Sequence, residues 1–151
     1  MAIVAKSKNI KEEIVDEKGN HLGSISYNPD DIKAYKKLTD ILDFINTMSK
    51  NTKHLNQLGE LSDKEITLDN FSNYEELFNG VRDELHTIDD LIEETKSSID
   101  EIFGEGTSYI FMGNGSDLEL LMPLIDNVLP NFKSKREEKV DKYLDNGASA
   151  L

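Results

Sequence analysis

The segment YEELFNGVRDELHTIDDLIEETKSSIDEIF, residues 74–103, carries the strongest periodicity in the chain. Its apolar residues recur at alternating steps of four and three positions, the heptad spacing of a helix that packs along another helix. A helix of about 29 residues extends roughly 43 Å, so its apolar side needs a partner along the whole length. We predict a helix over 74–103, with a helix at 29–50 or a second copy of the protein as that partner. The residues on this side, called the heptad seam below, are Tyr74, Phe78, Val81, Leu85, Ile88, Ile92, Thr95, Ile99 and Ile102.

The next stretch, FGEGTSYIFMGNG at residues 103–115, is rich in glycine and aromatic residues. Glycine readily adopts the left-handed conformation that ends a helix, so Gly104 predicts the end of the long helix. A phosphate-binding loop would carry a lysine after its last glycine and would follow a strand, and this stretch does neither. We interpret it as a chain reversal with a brief strand over 109–112. The residues assigned to this structural turn are Phe103, Gly104, Glu105 and Gly106.

The N-terminal part is predicted to combine a small β element with a helix. Residues 12–27 place apolar side chains among polar neighbours around a Gly-Asn turn, which is typical of a β-hairpin. Residues 28–31, Asn-Pro-Asp-Asp, have the capping and first-turn composition of a helix start, so we expect a helix over 29–50 with Pro29 at its first position. Between 51 and 73 the pattern weakens, which indicates a connecting segment with room for one short helix.

Two more helices are predicted after the turn, over 117–129 and 135–145. Each follows a serine that has a glutamate three positions later, which is the pattern of a capping box. The two pairs are Ser116 with Glu119 and Ser134 with Glu137.

Two prolines bear on these helices. Pro123 would kink the first helix or delay its start, and Pro130 separates the first helix from the second. Residues 146–151 are expected to fray. The predicted fold is therefore mainly α (α+β): a helical bundle with a long central helix and a small N-terminal β-hairpin, in a single domain spanning residues 1–151.

The composition excludes several classes of partner. The chain carries 30 acidic and 17 basic side chains, a net charge of -13. Nucleic acids and anionic membranes are bound largely through positive charge, so we expect neither as a partner. The chain has no cysteine, which excludes disulfides and thiolate catalysis and fits a reducing compartment. Because we find no signal peptide and no apolar run of about 18 residues, we expect a cytoplasmic protein.

No catalytic or metal-binding pattern stands out. His21, His54 and His86 lie in different predicted elements, whereas metal sites usually show at least one pair of ligands at characteristic spacing. Residues 89–94, DDLIEE, place carboxylates four positions apart, which suits acid–base chemistry or a divalent cation in principle. Charged positions flanking the heptad seam explain them more simply. We predict no catalytic residue, no metal and no cofactor, and keep a small carboxylate- or metal-dependent hydrolase as an alternative.

Three stretches together resemble one protein family. They are GNHLGSISYNPDDI at 19–32, IDEIFGEGTSYIF at 99–111 and KREEKVDKYL at 135–144. Their order and spacing are similar to those of tail assembly chaperones from long-tailed, siphovirus-like phages and prophages of Gram-positive bacteria. In that family a β element leads into a helix, and a helix that ends in FGEGTS precedes a final charged helix. Tyr27 stands where the family pattern has phenylalanine.

The resemblance implies a non-enzymatic function in the cytoplasm of the bacterial host. Such a chaperone binds the tape-measure protein during tail morphogenesis and keeps its long hydrophobic helices soluble until tail-tube subunits polymerise around them. The implied partners are the tape-measure protein and tail-tube proteins, and we expect a homo-oligomer. The alternative is a structural tail or connector subunit that is retained in the virion.

The candidate partner-binding residues are aromatic. Tyr109 and Phe111 lie near the glycine turn and Tyr143 lies on the charged terminal helix, where partly exposed rings would serve as anchors. The alternative is that all three are buried. The heptad seam is open to the same two interpretations, a core face or a groove for a partner.

Overall fold

The computed structural model describes residues 1–48, 52–61 and 66–149, with side chains described through residue 138. It confirms a mainly α fold with an N-terminal β-hairpin and a long helix over the predicted segment. The strands are β1 (Ile10–Val15) and β2 (His21–Tyr27). The helices are α1 (Ile32–Thr47), α2 (Lys53–Glu60), α3 (Glu75–Phe103), α4 (Thr107–Met112) and α5 (Met122–Ser149), with short 3₁₀ helices at Phe71–Tyr74 and Leu118–Leu121.

The chain divides into two compact units, which are described separately below. Unit 1 consists of residues 1–40 and 96–151, and unit 2 consists of residues 41–95. The prediction of a single domain over 1–151 stays a prediction.

In unit 1, the β-hairpin is antiparallel, with Ile10 opposite Tyr27 and a bulge between Ile14 and Val15. The Asp16 carboxylate closes its turn by accepting hydrogen bonds from the amides of Lys18 and Asn20, each at 2.8 Å. Strand β2 packs against α4, where the Ile110 side chain approaches so closely that a Cβ at Gly23 would lie 2.6 Å from Ile110 Cδ1. The predicted hairpin is therefore confirmed, and α4 covers one of its strands.

The core of unit 1 is built around Tyr27, whose side chain is fully buried. Its ring stacks on Phe132 of α5 at a centroid distance of 5.4 Å and meets the ring of Phe103 edge-on at 5.5 Å. Its hydroxyl accepts a hydrogen bond from Asn131 Nδ2 at 2.7 Å and donates one to Glu12 at 3.3 Å. The hairpin, the end of α3 and the middle of α5 thus share one aromatic cluster.

Helix α1 begins at Ile32, three residues later than predicted. The Asn28 side chain accepts a hydrogen bond from the Asp30 amide, so residues 28–31 form a turn rather than the first turn of a helix. The Asp31 carboxylate then caps α1 by accepting from the amides of Lys33 at 2.9 Å and Ala34 at 3.3 Å. The predicted end at residue 50 lies outside the described residues.

The glycine stretch ends α3 and leads into α4, and the strand expected over 109–112 is wrong, because this segment lies in α4. Gly104 and Gly106 have φ angles of +121° and +88°, so both adopt left-handed backbone. The Asp100 carboxylate accepts a hydrogen bond from the Ser108 amide at 2.8 Å and thereby caps α4. This local cap outweighs the strand preference of the aromatic and β-branched residues.

The break predicted at Pro130 is also wrong, because α5 runs without interruption from Met122 to Ser149. Proline removes one backbone hydrogen bond from a helix interior. Here Val128 and Phe132, both fully buried, hold the helix on either side of Pro130. Ser134 consequently lies inside the helix and does not cap it, and the frayed tail predicted from residue 146 is helical through Ser149.

The start of α5 agrees with the effect expected of Pro123, since the helix begins only at Met122. The 3₁₀ helix Leu118–Leu121 precedes it. That short helix is capped by the Asp117 carboxylate, which accepts from the Glu119 amide at 3.1 Å, and not by Ser116 as predicted. The pattern therefore located the helical region but not its cap.

In unit 2, the weakly patterned segment 51–73 contains α2 and the 3₁₀ helix Phe71–Tyr74. The Phe71 ring stacks on Phe78 at 5.0 Å and so holds the 3₁₀ helix against the beginning of α3. Helix α3 begins at Glu75 and ends at Phe103, within one residue of the predicted bounds.

Candidate functional site

The heptad seam is buried unevenly. In unit 1, Ile99 is fully buried and Ile102 is half-buried. In unit 2 the buried seam residues are Val81, Ile92 and Thr95, the half-buried ones are Tyr74, Phe78 and Ile88, and Leu85 is 50% exposed. The chain itself therefore covers only part of the seam, and the partner expected along its whole length stays a prediction. Its N-terminal half keeps apolar surface in contact with solvent.

Unit 2 contains a groove of about 180 Å³ between the C-terminal part of α1 and the N-terminal half of α3. Its apolar lining is half-buried, and its polar lining comes from α3. The lining residues, called the unit 2 groove below, are Phe44, Met48, Ile88 and Leu91, with Asp83, Glu84 and Thr87.

The segment of the chain that forms unit 2 is strongly acidic. Residues 41–95 contain thirteen acidic and four basic residues, a net charge of -9 out of -13 for the whole chain. A groove with apolar walls and a negative surround attracts positively charged partners and repels negative ones.

Glu84 joins the groove to α2. Its carboxylate accepts hydrogen bonds from the backbone amides of His54 at 2.8 Å and Leu55 at 2.9 Å, and a third from His54 Nδ1 at 2.8 Å. Partial burial by itself would raise the pKa of Glu84, but these hydrogen bonds outweigh it and hold the pKa below its ordinary value. Glu84 is therefore ionised and caps the first turn of α2.

Gly80, one turn before Glu84, makes the close approach of α2 possible. A Cβ at this position would lie 2.3 Å from Cδ2 of the His54 ring. The imidazole therefore lies directly against the backbone of α3, and the same helix supplies its hydrogen-bond acceptor.

Unit 1 contains a larger groove, of about 380 Å³, lined by residues of both charges. Asp30 forms an ion pair with Lys8 at 3.5 Å, and Asp31 caps α1. Lys36 and Arg136 face the same space. Its mixed charge does not favour one class of ligand.

The structure places the predicted partner-binding aromatic residues as follows. Tyr109 on α4 is 62% exposed, and Phe111 is half-buried. The side chain of Tyr143 lies outside the described residues. Tyr109 is therefore exposed enough to serve as an anchor. It lies in unit 1, and so it is not part of the groove described above.

Sequence analysis did not single out Phe44, Leu91 or Thr87. Leu91 directly precedes Ile92 of the heptad seam, so a wider apolar stripe on this helix would have included it. No sequence pattern indicated that His54 pairs with Glu84, because the two residues are 30 positions apart.

The described residues contain no group of three or more His, Asp or Glu side chains arranged to hold a metal ion. His21 pairs with Glu13 at 2.7 Å, and His54 pairs with Glu84. None of the described helices combines the length and hydrophobicity needed to cross a membrane. The absence of catalytic residues, metal and cofactor stays a prediction.

No protein-family model, curated protein or solved structure shows significant similarity to this chain. The resemblance to tail assembly chaperones therefore depends on the three sequence stretches at 19–32, 99–111 and 135–144.

Proposed function

We propose that the protein is a non-enzymatic tail assembly chaperone of a siphovirus-like phage or prophage. It acts in the cytoplasm of the bacterial host and binds the tape-measure protein before tail-tube subunits enclose it. The proposal combines the sequence resemblance with the surface properties of unit 2.

The observation that best supports the proposal is the partly exposed heptad seam beside the unit 2 groove. Leu85 is half-exposed, and the four apolar groove residues are half-buried. Apolar surface of this kind, bordered by polar residues, is typical of sites that bind amphipathic helices. A chaperone for long hydrophobic helices requires such a surface, whereas a self-contained bundle would cover it.

Co-expression with the tape-measure product encoded beside this gene tests the proposal. We expect the tape-measure protein to be soluble and to co-purify when this protein is present, and to aggregate when it is absent. A matched control co-expresses an unrelated acidic helical protein of similar size. Failure of the two proteins to co-purify, with no gain in solubility, would refute the proposal.

Mass spectrometry of purified phage particles separates a chaperone from a structural subunit. A chaperone acts transiently, so its peptides should be absent from finished particles while those of the tape-measure protein are present. Detection at a stoichiometry comparable to that of known tail proteins would instead favour a structural tail or connector component.

A further inference from the structure

We infer that the unit 2 groove binds an amphipathic helix whose apolar stripe is bordered by basic residues. The inference rests on the proposed function in so far as the tape-measure protein supplies such a helix. Beyond the proposed function, it specifies where on this chain the helix binds and which charge the bound helix carries.

The groove has apolar walls on two sides. The end of α1 with the adjoining Met48 forms one wall and α3 forms the other, so that Phe44, Met48, Ile88 and Leu91 provide apolar contacts from both sides. On α3, Asp83, Thr87 and Leu91 follow one another at intervals of four residues and so lie along one line of the helix. A helix laid in this groove would place side chains spaced three and four residues apart against these walls.

The negative charge of unit 2 favours amphipathic helices that carry basic residues. Unit 2 carries a net charge of -9, and Asp83 and Thr87 are exposed at the edge of the groove. Within the part of the chain whose side chains are described, no basic residue forms an ion pair with Asp83. Lysine or arginine beside the apolar stripe of the bound helix would therefore meet the Asp83 carboxylate, which no basic side chain in the described part of the chain neutralises.

Helix α2 shows how a helix with basic residues in its first turn contacts this surface. Its first two residues are Lys53 and His54, and none of its residues is fully buried. Glu84, which also lines the groove, accepts hydrogen bonds from the backbone amides of His54 and Leu55 and from the His54 imidazole. A carboxylate of α3 thus already caps the first turn of one short helix, and the same carboxylate lines the adjacent groove beside its apolar side chains.

Two synthetic peptides test the charge requirement. Both have about 20 residues and the same leucine stripe at helical spacing, but one carries lysine and the other glutamate at the remaining charged positions. Binding to the full-length protein is measured by fluorescence anisotropy at low and physiological salt. We expect the lysine peptide to bind at least about tenfold more tightly than the glutamate peptide, with the difference reduced by salt.

Paired variants of exposed α3 residues test the location. Asp83→Lys reverses a charge at the groove, and Asp89→Lys makes the same change six positions along the helix, outside the groove lining. Thr87→Arg places bulk and positive charge in the groove, and His86→Arg is its control. We expect the two groove variants to weaken binding of the lysine peptide by about fivefold to tenfold and the controls to change it by less than about twofold.

Circular dichroism and size-exclusion chromatography confirm that each variant is folded. The inference is overturned if the wild-type protein binds neither peptide, if it binds both equally, or if Asp89→Lys weakens binding as much as Asp83→Lys. Co-purification of the tape-measure protein with both groove variants at wild-type levels would overturn the inference and leave the proposed function intact. Groove-dependent peptide binding without tape-measure binding would refute the proposed function alone.

Discussion

Glu84 fixes the tautomer of His54. The two side chains are 2.8 Å apart, and an ionised carboxylate can only accept hydrogen bonds, so His54 Nδ1 carries the proton. The same carboxylate accepts the backbone amides at the start of α2. One residue of α3 thus determines both the capping of α2 and the orientation of its first aromatic side chain.

Replacing Glu84 with glutamine should release α2 from α3. The amide group cannot reproduce three hydrogen bonds to a charged acceptor, so hydrogen exchange at the amides of His54 and Leu55 should accelerate. Exchange within Glu75–Phe103 should change little. Asp89→Asn, an equivalent charge removal at an exposed position of α3, serves as the control and should leave both amides protected.

The same contact should depend on pH in the acid range. The pKa of Glu84 lies below its ordinary value near 4.5, so its contribution to stability is fully present above that value and is lost as pH falls through the lowered pKa. Wild-type protein and Glu84→Gln should therefore differ in Leu55 amide protection at pH 6 and converge as pH falls through the lowered pKa of Glu84. A difference that persists at the lowest pH would show that the charge of Glu84 is not the cause.

Gly80→Ala should have opposite effects on α3 and α2. Alanine stabilises a helix interior by up to about 1 kcal/mol relative to glycine, but its Cβ would overlap the His54 ring, which must move. We expect unchanged or raised thermal stability together with faster exchange at the Leu55 amide. Gly59→Ala is the matched control, because no atom lies within 4 Å of the added Cβ, and it should stabilise the protein by about 0.5–1 kcal/mol without loosening α2.

Gly106→Ala should destabilise the protein through backbone conformation alone. Gly106 has a φ of +88°, and nothing lies within 4 Å of a Cβ built there, so no steric clash contributes. The left-handed conformation costs other residues about 1–2 kcal/mol, and asparagine tolerates it better than alanine. Urea denaturation should rank the variants wild type, Gly106→Asn, Gly106→Ala in decreasing stability. Equal stability of all three would contradict the assigned turn.

Tyr27→Phe tests the contribution of the buried Tyr27 hydroxyl to stability. Burial, the largest influence, raises the pKa of Tyr27, so its hydroxyl stays protonated well above pH 7. Removing it leaves Asn131 without its acceptor and should cost about 1–2 kcal/mol in urea denaturation at pH 7. Tyr109→Phe, at an exposed position, should change the unfolding free energy by less than about 0.5 kcal/mol.

Sequence periodicity predicted most of the helical framework because burial of one helix face imposes a regular spacing. The heptad seam predicted both ends of α3 to within one residue, and Gly104 predicted where the helix ends. The errors occur where a local hydrogen bond or a distant contact decides the outcome. Asp100 caps α4 in place of the expected strand, and buried Phe132 keeps α5 continuous through Pro130.

The candidate site was less predictable than the fold. The walls of the unit 2 groove come from α1 and α3. The periodicity of one helix does not specify which residues of a second helix will lie opposite it. The exposure of Leu85 could not be predicted from the sequence either. A heptad pattern shows which side of a helix is apolar, but it does not show how far the partner helix extends along that side.

The aromatic cluster around Tyr27 has a consequence for synthesis on the ribosome. A two-stranded hairpin by itself is marginal in water, and this one is covered by Ile110 and Phe132. Tyr27 and its hydrogen-bond partner Asn131 are 104 residues apart. The hairpin therefore leaves the exit tunnel well before the residues that cover it, and it becomes stable only after α5 has emerged.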